Sequence, residues 1–210
     1  QGYKSFYYGE DMLASATIAD ILRPSEKKHA VIYDIVLVIG ASLLIGLCAK
    51  IKILLPFSPV PITGQTFAVL MIGALLGAKR GSLAVLAYII EGVSGLPVFA
   101  FGGGLGLLFG PTGGYLVGFI AAAYITGALA ERGWDRRFGT TILAMVFGSM
   151  AMYIFALSWL CCLMGINRTV LVTGLYPFIV GDLLKIVLAT AVLPSGWKLL
   201  GYMERSSKRE

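Results

Sequence analysis

The sequence predicts an all-α membrane protein of six transmembrane helices, with both termini cytoplasmic and an outward-facing pocket covered by long outer loops. Hydrophobic residues make up 58% of the 210 residues and charged residues only 13%, whereas about 25% of the residues of a soluble domain are charged. The mean hydropathy is +0.85. The apolar residues also fall into six runs, at about 30–49, 65–78, 81–97, 113–130, 140–165 and 177–193.

The length of each run indicates how it can cross a bilayer. A full span needs about 20 helical residues, because each residue adds about 1.5 Å. The runs at 30–49, 113–130 and 140–165 meet this requirement, whereas those at 65–78 and 81–97 are shorter. The sequence GAKRG separates the two short runs. We therefore predict two short helices joined by a tight basic turn.

Lysine and arginine residues set the predicted topology. With a cytoplasmic N-terminus, thirteen of the seventeen fall in segments predicted to lie inside. Three fall in segments predicted to lie outside, namely Lys50, Lys52 and Arg168, and Lys185 lies within the last apolar run. Cytoplasmic loops carry such an excess of positive charge. Both termini are therefore expected on the cytoplasmic side.

Three regions follow from this topology. Residues 1–29 are expected to form a cytoplasmic or interfacial segment, and residues 30–200 a six-helix transmembrane substrate-binding domain that holds the pocket. Residues 201–210 are expected to form a basic cytoplasmic tail. Asp34 lies near the cytoplasmic end of the first predicted helix and is expected to be interfacial.

Three long connections are predicted on the outer side, at 50–65, 95–114 and 166–177. The first contains three prolines, which fix φ and remove an amide donor, so it cannot be helical. The second is rich in glycine, but Phe109 stands where the dinucleotide-binding fingerprint needs its third glycine. Non-helical backbone at membrane depth must be buried or line a cavity. We interpret the second connection as a flexible lid over a pocket.

Two charged residues, Asp182 and Lys185, lie inside the last apolar run. A charge at the bilayer centre costs at least ~2.5–3.5 kcal/mol. The two residues are three apart and share one helix face, roughly 8–12 Å below the outer end of the helix. They form either a structural ion pair or the polar floor of a ligand pocket, and we favour the pocket.

Glu91 is predicted at the same depth, either as a pocket residue or as an interfacial carboxylate. Aromatic and apolar residues of the glycine-rich connection would supply the pocket walls. The other residues expected to bind the ligand are Tyr88, Phe99, Phe101, Gly103, Thr112 and Trp159.

Several function classes are excluded by what the sequence contains. His29 is the single histidine and precedes the first apolar run, which removes histidine-based metal sites and a serine–histidine hydrolase. The basic residues form no aromatic-rich basic face, so no nucleic-acid partner is expected. No Walker A motif is present. No cofactor, no metal and no enzymatic activity are expected, and membrane lipid is the expected surrounding.

Five motifs together resemble the BioY family. They are PFSPVPITGQTF (56–67), LGAKRGSLAVLAY (76–88), GLPVFA (95–100), GPTGGYLVGF (110–119) and GDLLK (181–185). BioY proteins are the biotin-specific substrate-binding S components of energy-coupling factor (ECF) transporters. The resemblance covers roughly residues 30–200, with the motifs in the order of the family.

The resemblance implies a six-helix protein of the cell membrane that binds biotin from the outer side and delivers it for uptake. It implies partners, one transmembrane T component and two ABC-type ATPases. The Asp-x-x-Lys pair of the family falls on Asp182 and Lys185, and its docking surface for the T component falls near Ser42 and Gly46. An ionised carboxylate can accept from the ureido N–H groups of biotin, and a lysine can donate to an oxygen. Phe101 stands where some relatives have asparagine.

Three other functions stay open at this point. The chain could be an S component for a different vitamin, which a binding assay across vitamins would separate. It could be a small stand-alone secondary transporter, which would take up substrate without partners. A structural or assembly membrane protein would bind no ligand at all.

Overall fold

The structure, a computed structural model, describes residues 16–207, with side chains as far as Tyr202. Seven helices lie in this part of the chain: α1 (Ile18–Ile21), α2 (Lys27–Lys50), α3 (Gln65–Val93), α4 (Gly113–Ala130), α5 (Phe138–Met164), α6 (Arg168–Gly174) and α7 (Tyr176–Ser207). The other elements are two 3₁₀ turns, Leu105–Leu107 and Trp134–Arg136, and an antiparallel pair of strands, β1 (Lys52–Ile53) and β2 (Ile62–Thr63).

Five of the described helical segments are long and apolar enough, by length and composition, to cross a membrane. They are α2, α3, α4, α5 and the stretch Arg168–Tyr202, which contains α6 and most of α7. The predicted mostly helical membrane fold is therefore confirmed. The number of crossings depends on α3.

Helix α3 folds back on itself at Gly77. This residue has φ 85° and ψ 174°, a conformation that glycine adopts and other residues avoid. A Cβ built on Gly81 would lie 3.0 Å from the Cα of Gly73, so the two halves lie side by side. The side chains of Gln65 and Tyr88 are hydrogen-bonded, although a straight helix would hold them about 35 Å apart. The predicted short helices and turn are present, and two separate crossings by them stay a prediction.

Helix α4 packs closely between α3 and α5 through small residues. A Cβ on Gly73 would lie 2.6 Å from the carbonyl oxygen of Ala123, and one on Gly118 would lie 2.7 Å from that of Met152. Small residues let helices approach closely in lipid, where packing replaces the hydrophobic driving force between helices. The core that positions the pocket therefore rests on backbone-to-backbone contact.

Charged residues of the N-terminal segment hold the turn of α3. Arg80 pairs with Asp20 at 2.7 Å and with Asp34 at 2.8 Å. Burial acts to raise the pKa of Asp20, but hydrogen bonds from Arg80 and Thr17 outweigh it and hold that pKa below its ordinary value. Asp34 therefore lies in a charge cluster near the beginning of α2, and residues 17–34 are tied to the bundle.

The predicted inner and outer segments gather at opposite ends of the bundle. Trp197 of α7 donates to Asp135, between α4 and α5, at 2.6 Å, at the end that holds the turn of α3. At the other end, Ser58 of the first predicted outer connection donates to the carbonyl oxygen of Thr173 in the third, also at 2.6 Å. Which end faces the cytoplasm stays a prediction.

One connection contains a helix, and one helix is longer than predicted. The region 166–177, predicted as an outer connection, contains α6, and the Asn167 side chain accepts from a backbone amide of its first turn at 3.2 Å. Helix α7 runs past its predicted end and into the predicted tail, with Pro194 inside it. Proline is tolerated in membrane helices when neighbouring groups satisfy the freed backbone. Residues 1–15 of the predicted N-terminal segment and 208–210 of the tail lie outside the described residues.

Candidate ligand-binding site

The two charges of α7 lie in one hydrogen-bonded cluster. The ammonium of Lys185 lies 3.2 Å from Oδ1 of Asp182 and donates to the hydroxyl of Thr66 at 2.6 Å. The hydroxyl of Tyr153 donates to the other carboxylate oxygen of Asp182. The side chains of Lys185 and Asp182 are only 14% and 11% exposed. Each buried charge therefore has a partner of opposite charge, as a low-dielectric interior requires.

This cluster forms the floor of a cavity between α3, α4, α5 and α7. The cavity, counted with its open mouth and the solvent space there, has about 580 Å³ of space not filled by protein atoms. Its walls are mostly apolar and aromatic. The lining residues are Val60, Pro61, Thr63, Gln65, Thr66, Phe99, Ala100, Phe101, Leu107, Thr112, Tyr115, Leu116, Phe119, Met152, Tyr153, Phe178 and Lys185.

Four of the predicted ligand-binding residues line this cavity: Phe99, Phe101, Thr112 and Lys185. Phe99 is buried in the wall, whereas Phe101 is 48% exposed at the mouth. The glycine-rich connection thus contributes walls to this cavity, and its role as a lid stays a prediction.

Asp182 does not line the cavity, although it was predicted to contact the ligand. Both of its carboxylate oxygens face protein donors, the ammonium of Lys185 and the hydroxyl of Tyr153. It lies behind these two side chains, and its direct contact with a ligand stays a prediction. In this arrangement Asp182 acts on the cavity by fixing Lys185 and Tyr153.

Glu91, predicted as a possible pocket residue, lies instead between α2 and α3. Its Oε1 accepts from the hydroxyl of Ser42 at 2.7 Å. Ser42 is fully buried, and a Cβ on Gly46 would lie 3.2 Å from that of Val98. Glu91 therefore ties two helices together. Ser42 and Gly46 are buried within the chain, and their role in docking a partner stays a prediction.

Tyr88, Gly103 and Trp159 also lie outside the cavity lining, and their contact with a ligand stays a prediction. Tyr88 is fully buried and packs edge-on against Phe99, with the ring centroids 5.4 Å apart. A Cβ on Gly103 would lie 2.2 Å from the carbonyl oxygen of Leu96. Trp159 donates to the carbonyl oxygen of Gly110 at 3.0 Å. All three hold the pocket walls in place from behind.

The sequence profile of the BioY family matches residues 22–202. The chain belongs to the BioY family. The biotin transporter BioY of Rhizobium etli is 38% identical over 157 residues, which cover 71% of this chain and 84% of that protein. The biotin transporter BioY of Thermotoga maritima is 41% identical over 143 residues, covering 66% and 81% of the two chains. With its apolar helices, this BioY-family chain is a multi-pass protein of the cell membrane.

A solved structure also resembles this BioY-family fold. The S component for biotin from an ECF-type ABC transporter has a TM-score of 0.71 and 26% identity, covering 83% of this chain and 95% of that chain. The predicted family resemblance is confirmed. The family is one of transporters and not of enzymes.

Several polar lining residues of this BioY-family pocket were missed by the sequence reasoning. Gln65 and Thr66 begin α3 directly after the proline-rich connection, inside the first family motif. Tyr115 stands in the fourth motif, and Tyr153 lies in the apolar run of α5. The position of Gln65 and Thr66 in the first helical turn after a rigid loop is a sequence signal that could have identified them as lining residues. Nothing in the apolar pattern distinguishes Tyr153 from a core tyrosine.

Two lysines also link the glycine-rich connection to the first predicted outer connection by hydrogen bonds. Lys50 donates to the carbonyl oxygen of Phe99 at 2.9 Å, and Lys52 donates to that of Ala100 at 2.6 Å. The ammonium of Lys52 also lies 4.9 Å from the ring centroid of Phe101. These contacts connect the mouth of the cavity to the strand pair that follows α2.

Proposed function

We propose that this chain binds biotin with high affinity in the described cavity and delivers it for uptake, as the substrate-binding S component of an ECF-type vitamin transporter. The observation that carries the proposal is a buried lysine at the floor of an aromatic cavity, in a chain of the BioY family. The biotin transporters and the biotin S component to which the chain is similar support the same ligand.

The polar floor suits the ureido ring of biotin. Lys185 has three N–H donors, of which two point to Asp182 and Thr66. In the proposal a further one donates to the ureido oxygen, and the hydroxyl oxygen of Tyr153 accepts from a ureido N–H. Hydrogen bonds to charged groups contribute roughly 1.5–3 kcal/mol. Asp182 orients the ammonium through their contact at 3.2 Å.

The apolar walls suit the rest of the ligand. In the proposal the thiophane ring packs against Tyr115 and Phe178, whose own ring centroids are 5.9 Å apart. The alkyl chain then runs past Phe99 towards Phe101 at the mouth. Burying apolar ligand surface contributes about 25 cal/mol per Å², so walls and floor both contribute to affinity.

The topology and the partners belong to the same proposal. The halves of α3 cross the membrane separately, which gives six crossings with both termini cytoplasmic and the cavity opening outward. ATP-driven uptake needs a T component and two ABC-type ATPase subunits. The exposed apolar face of α2, and not its buried Ser42 and Gly46, is the side of that helix open to such a partner.

Titration of the purified full chain with biotin, thiamine and riboflavin tests the proposed ligand. We expect saturable binding of one biotin per chain and no binding of the other two vitamins. Binding of another vitamin in place of biotin would support the alternative S component. The absence of any binding by a folded chain would contradict the proposal.

Uptake in cells separates the two modes of transport. We expect accumulation of labelled biotin only when the chain is produced with a T component and the two ATPases. Accumulation by the chain alone, abolished by a protonophore, would support the stand-alone secondary transporter. A reporter fused to the C-terminus tests the topology independently.

A further inference from the structure

Two lysines stand at the mouth of the candidate biotin site, and we call Lys50 and Lys52 the mouth lysines. Lys50 is the last residue of α2 and donates to the carbonyl oxygens of Pro97 and Phe99. Lys52 follows in β1 and donates to the carbonyl oxygen of Ala100 at 2.6 Å. Phe99 and Ala100 line the cavity. The mouth lysines therefore bring two ammonium groups to the segment that borders the opening.

The strand pair sets the direction of the Lys52 side chain. Lys52 lies directly opposite Thr63 in the antiparallel pair of β1 and β2. The side chains of directly opposite residues stand on the same face of a sheet, and Thr63 lines the cavity. The ammonium of Lys52 also lies 4.9 Å from the ring centroid of Phe101, which is 48% exposed at the mouth. Lys52 is therefore held on the cavity side of the strand pair, at the rim of the opening.

The mouth lysines contact uncharged groups. Among the residues that the structure describes, no carboxylate forms an ion pair with either of them. Oε1 of Glu91 accepts from the hydroxyl of Ser42. Asp182 pairs with Lys185 at the floor of the cavity. An ammonium has three N–H donors, and Lys52 directs one of them to the loop carbonyl. Lys52 can therefore also donate to an anion that reaches the opening.

The tail of biotin ends in a carboxylate. When the ureido ring lies at Lys185, the alkyl chain runs past Phe99 towards Phe101, and the carboxylate reaches the mouth. An ionised carboxylate held among apolar walls without a partner would cost much free energy. At the rim it meets the ammonium of Lys52 and water. Hydrogen bonds between ionised partners are shorter and stronger than those between neutral ones, so the two groups are matched.

We propose that Lys52 binds the tail carboxylate of biotin and makes the site selective for the free acid over amides of biotin. The inference rests on the biotin-binding function proposed above. In the bound state the ammonium donates to the carboxylate and keeps its contact with the carbonyl oxygen of Ala100. Biotin joined through an amide, for example to an amino group of a peptide, has no charge at this position. It lacks the ion pair and binds more weakly.

Isothermal titration of the purified full chain with biotin and with biotinamide tests the proposal. The two compounds share their rings and alkyl chain, and only biotin is charged at the end of the chain. Because Lys52 is exposed, water screens the contact, and we expect biotin to bind about threefold to fivefold more tightly. Lys52→Gln should bring the two Kd values within about 1.5-fold of each other by weakening biotin alone. Lys52→Glu should reverse the preference.

Two further variants are the controls. Arg168→Gln removes an exposed positive charge from α6, in the third predicted outer connection and outside the cavity lining. It should leave the preference for biotin unchanged. Lys185→Gln removes the proposed contact to the ureido oxygen, which both compounds have, so it should weaken both by the same factor. The melting temperature of each variant checks the fold.

Each outcome decides the proposal. Equal affinity of the unaltered chain for the two compounds would overturn it while biotin binding itself stands. An unchanged preference in Lys52→Gln would also overturn it, as would an equal loss of preference in Arg168→Gln, since selectivity would then follow net charge. Loss of the preference in Lys185→Gln alone would overturn it, because the carboxylate would then lie at the floor. Binding of neither compound by the folded, unaltered chain would contradict the proposed function and this inference with it.

Discussion

Removing the carboxylate behind Lys185 should weaken biotin binding, although Asp182 does not line the cavity. Asp182→Asn keeps the shape and an acceptor but loses the charged contact to Lys185 at 3.2 Å. Both side chains are mostly buried, so solvent and salt screen the contact little. A hydrogen bond to a charged group is worth roughly 1.5–3 kcal/mol, which corresponds to an increase in Kd of about tenfold to 150-fold. Isothermal titration with biotin measures it.

A double-mutant cycle tests whether Asp182 acts through Lys185. Lys185→Gln should raise the Kd for biotin by a similar factor, and the double variant should bind biotin only slightly more weakly than either single variant. Residues in direct contact couple by about 0.5–3 kcal/mol, and we expect about 1 kcal/mol or more. Asp34→Asn, which removes a carboxylate from the charge cluster at the other end, is the control and should leave Kd within about twofold. If the increase in Kd of the double variant equals the product of the two single increases, the positioning role of Asp182 is refuted.

Three further predictions concern stability and the lid. Gly77→Ala should destabilise the chain by roughly 1–3 kcal/mol, since φ is 85° there. Gly40→Ala, whose new Cβ would meet nothing within 4 Å, should stabilise the chain. The melting temperatures of the two variants in detergent measure the difference. Burial raises the pKa of Asp135 above its ordinary value, so the folded state binds that proton more tightly and stability falls as pH rises through the raised pKa. Asp135→Asn keeps an acceptor for Trp197, and its gain in melting temperature should grow as pH rises above about 4, the ordinary pKa of an aspartate; a gain independent of pH would contradict this. Hydrogen exchange of residues 102–114 should slow when biotin binds, and an unchanged rate would make this loop a spacer.

The helical scaffold could be predicted because it rests on local signals. The apolar runs predicted the helices, and the GAKRG sequence predicted the turn at Gly77. The proline content predicted the irregular first connection. The helix α6 was missed because it is short, and its signal is only the cap at Asn167. The continuation of α7 past Pro194 was missed because tertiary packing decides whether such a proline ends a helix.

The site was predictable only in part because facing directions depend on packing. The spacing of Asp182 and Lys185 placed both on one helix face, but not which of the two reaches the cavity. Tyr153 of α5, far away in sequence, lines the cavity and donates to Asp182, which does not line it. The side chain of Ser42 likewise faces the inside of the chain, where its hydroxyl donates to Glu91 on α3. Long-range partners of this kind have no counterpart in a local pattern.

A comparison of biotin with 2-iminobiotin tests the central claim most directly. In the analogue a guanidinium replaces the ureido group at neutral pH, so it has no carbonyl oxygen for Lys185 and brings a positive charge towards that ammonium. Titration of the purified full chain should show one high-affinity biotin site and, at pH 7, at least about tenfold weaker binding of 2-iminobiotin. Absence of biotin binding, or equal affinity for both compounds, would contradict the assignment of Lys185 as the group that holds the ligand oxygen.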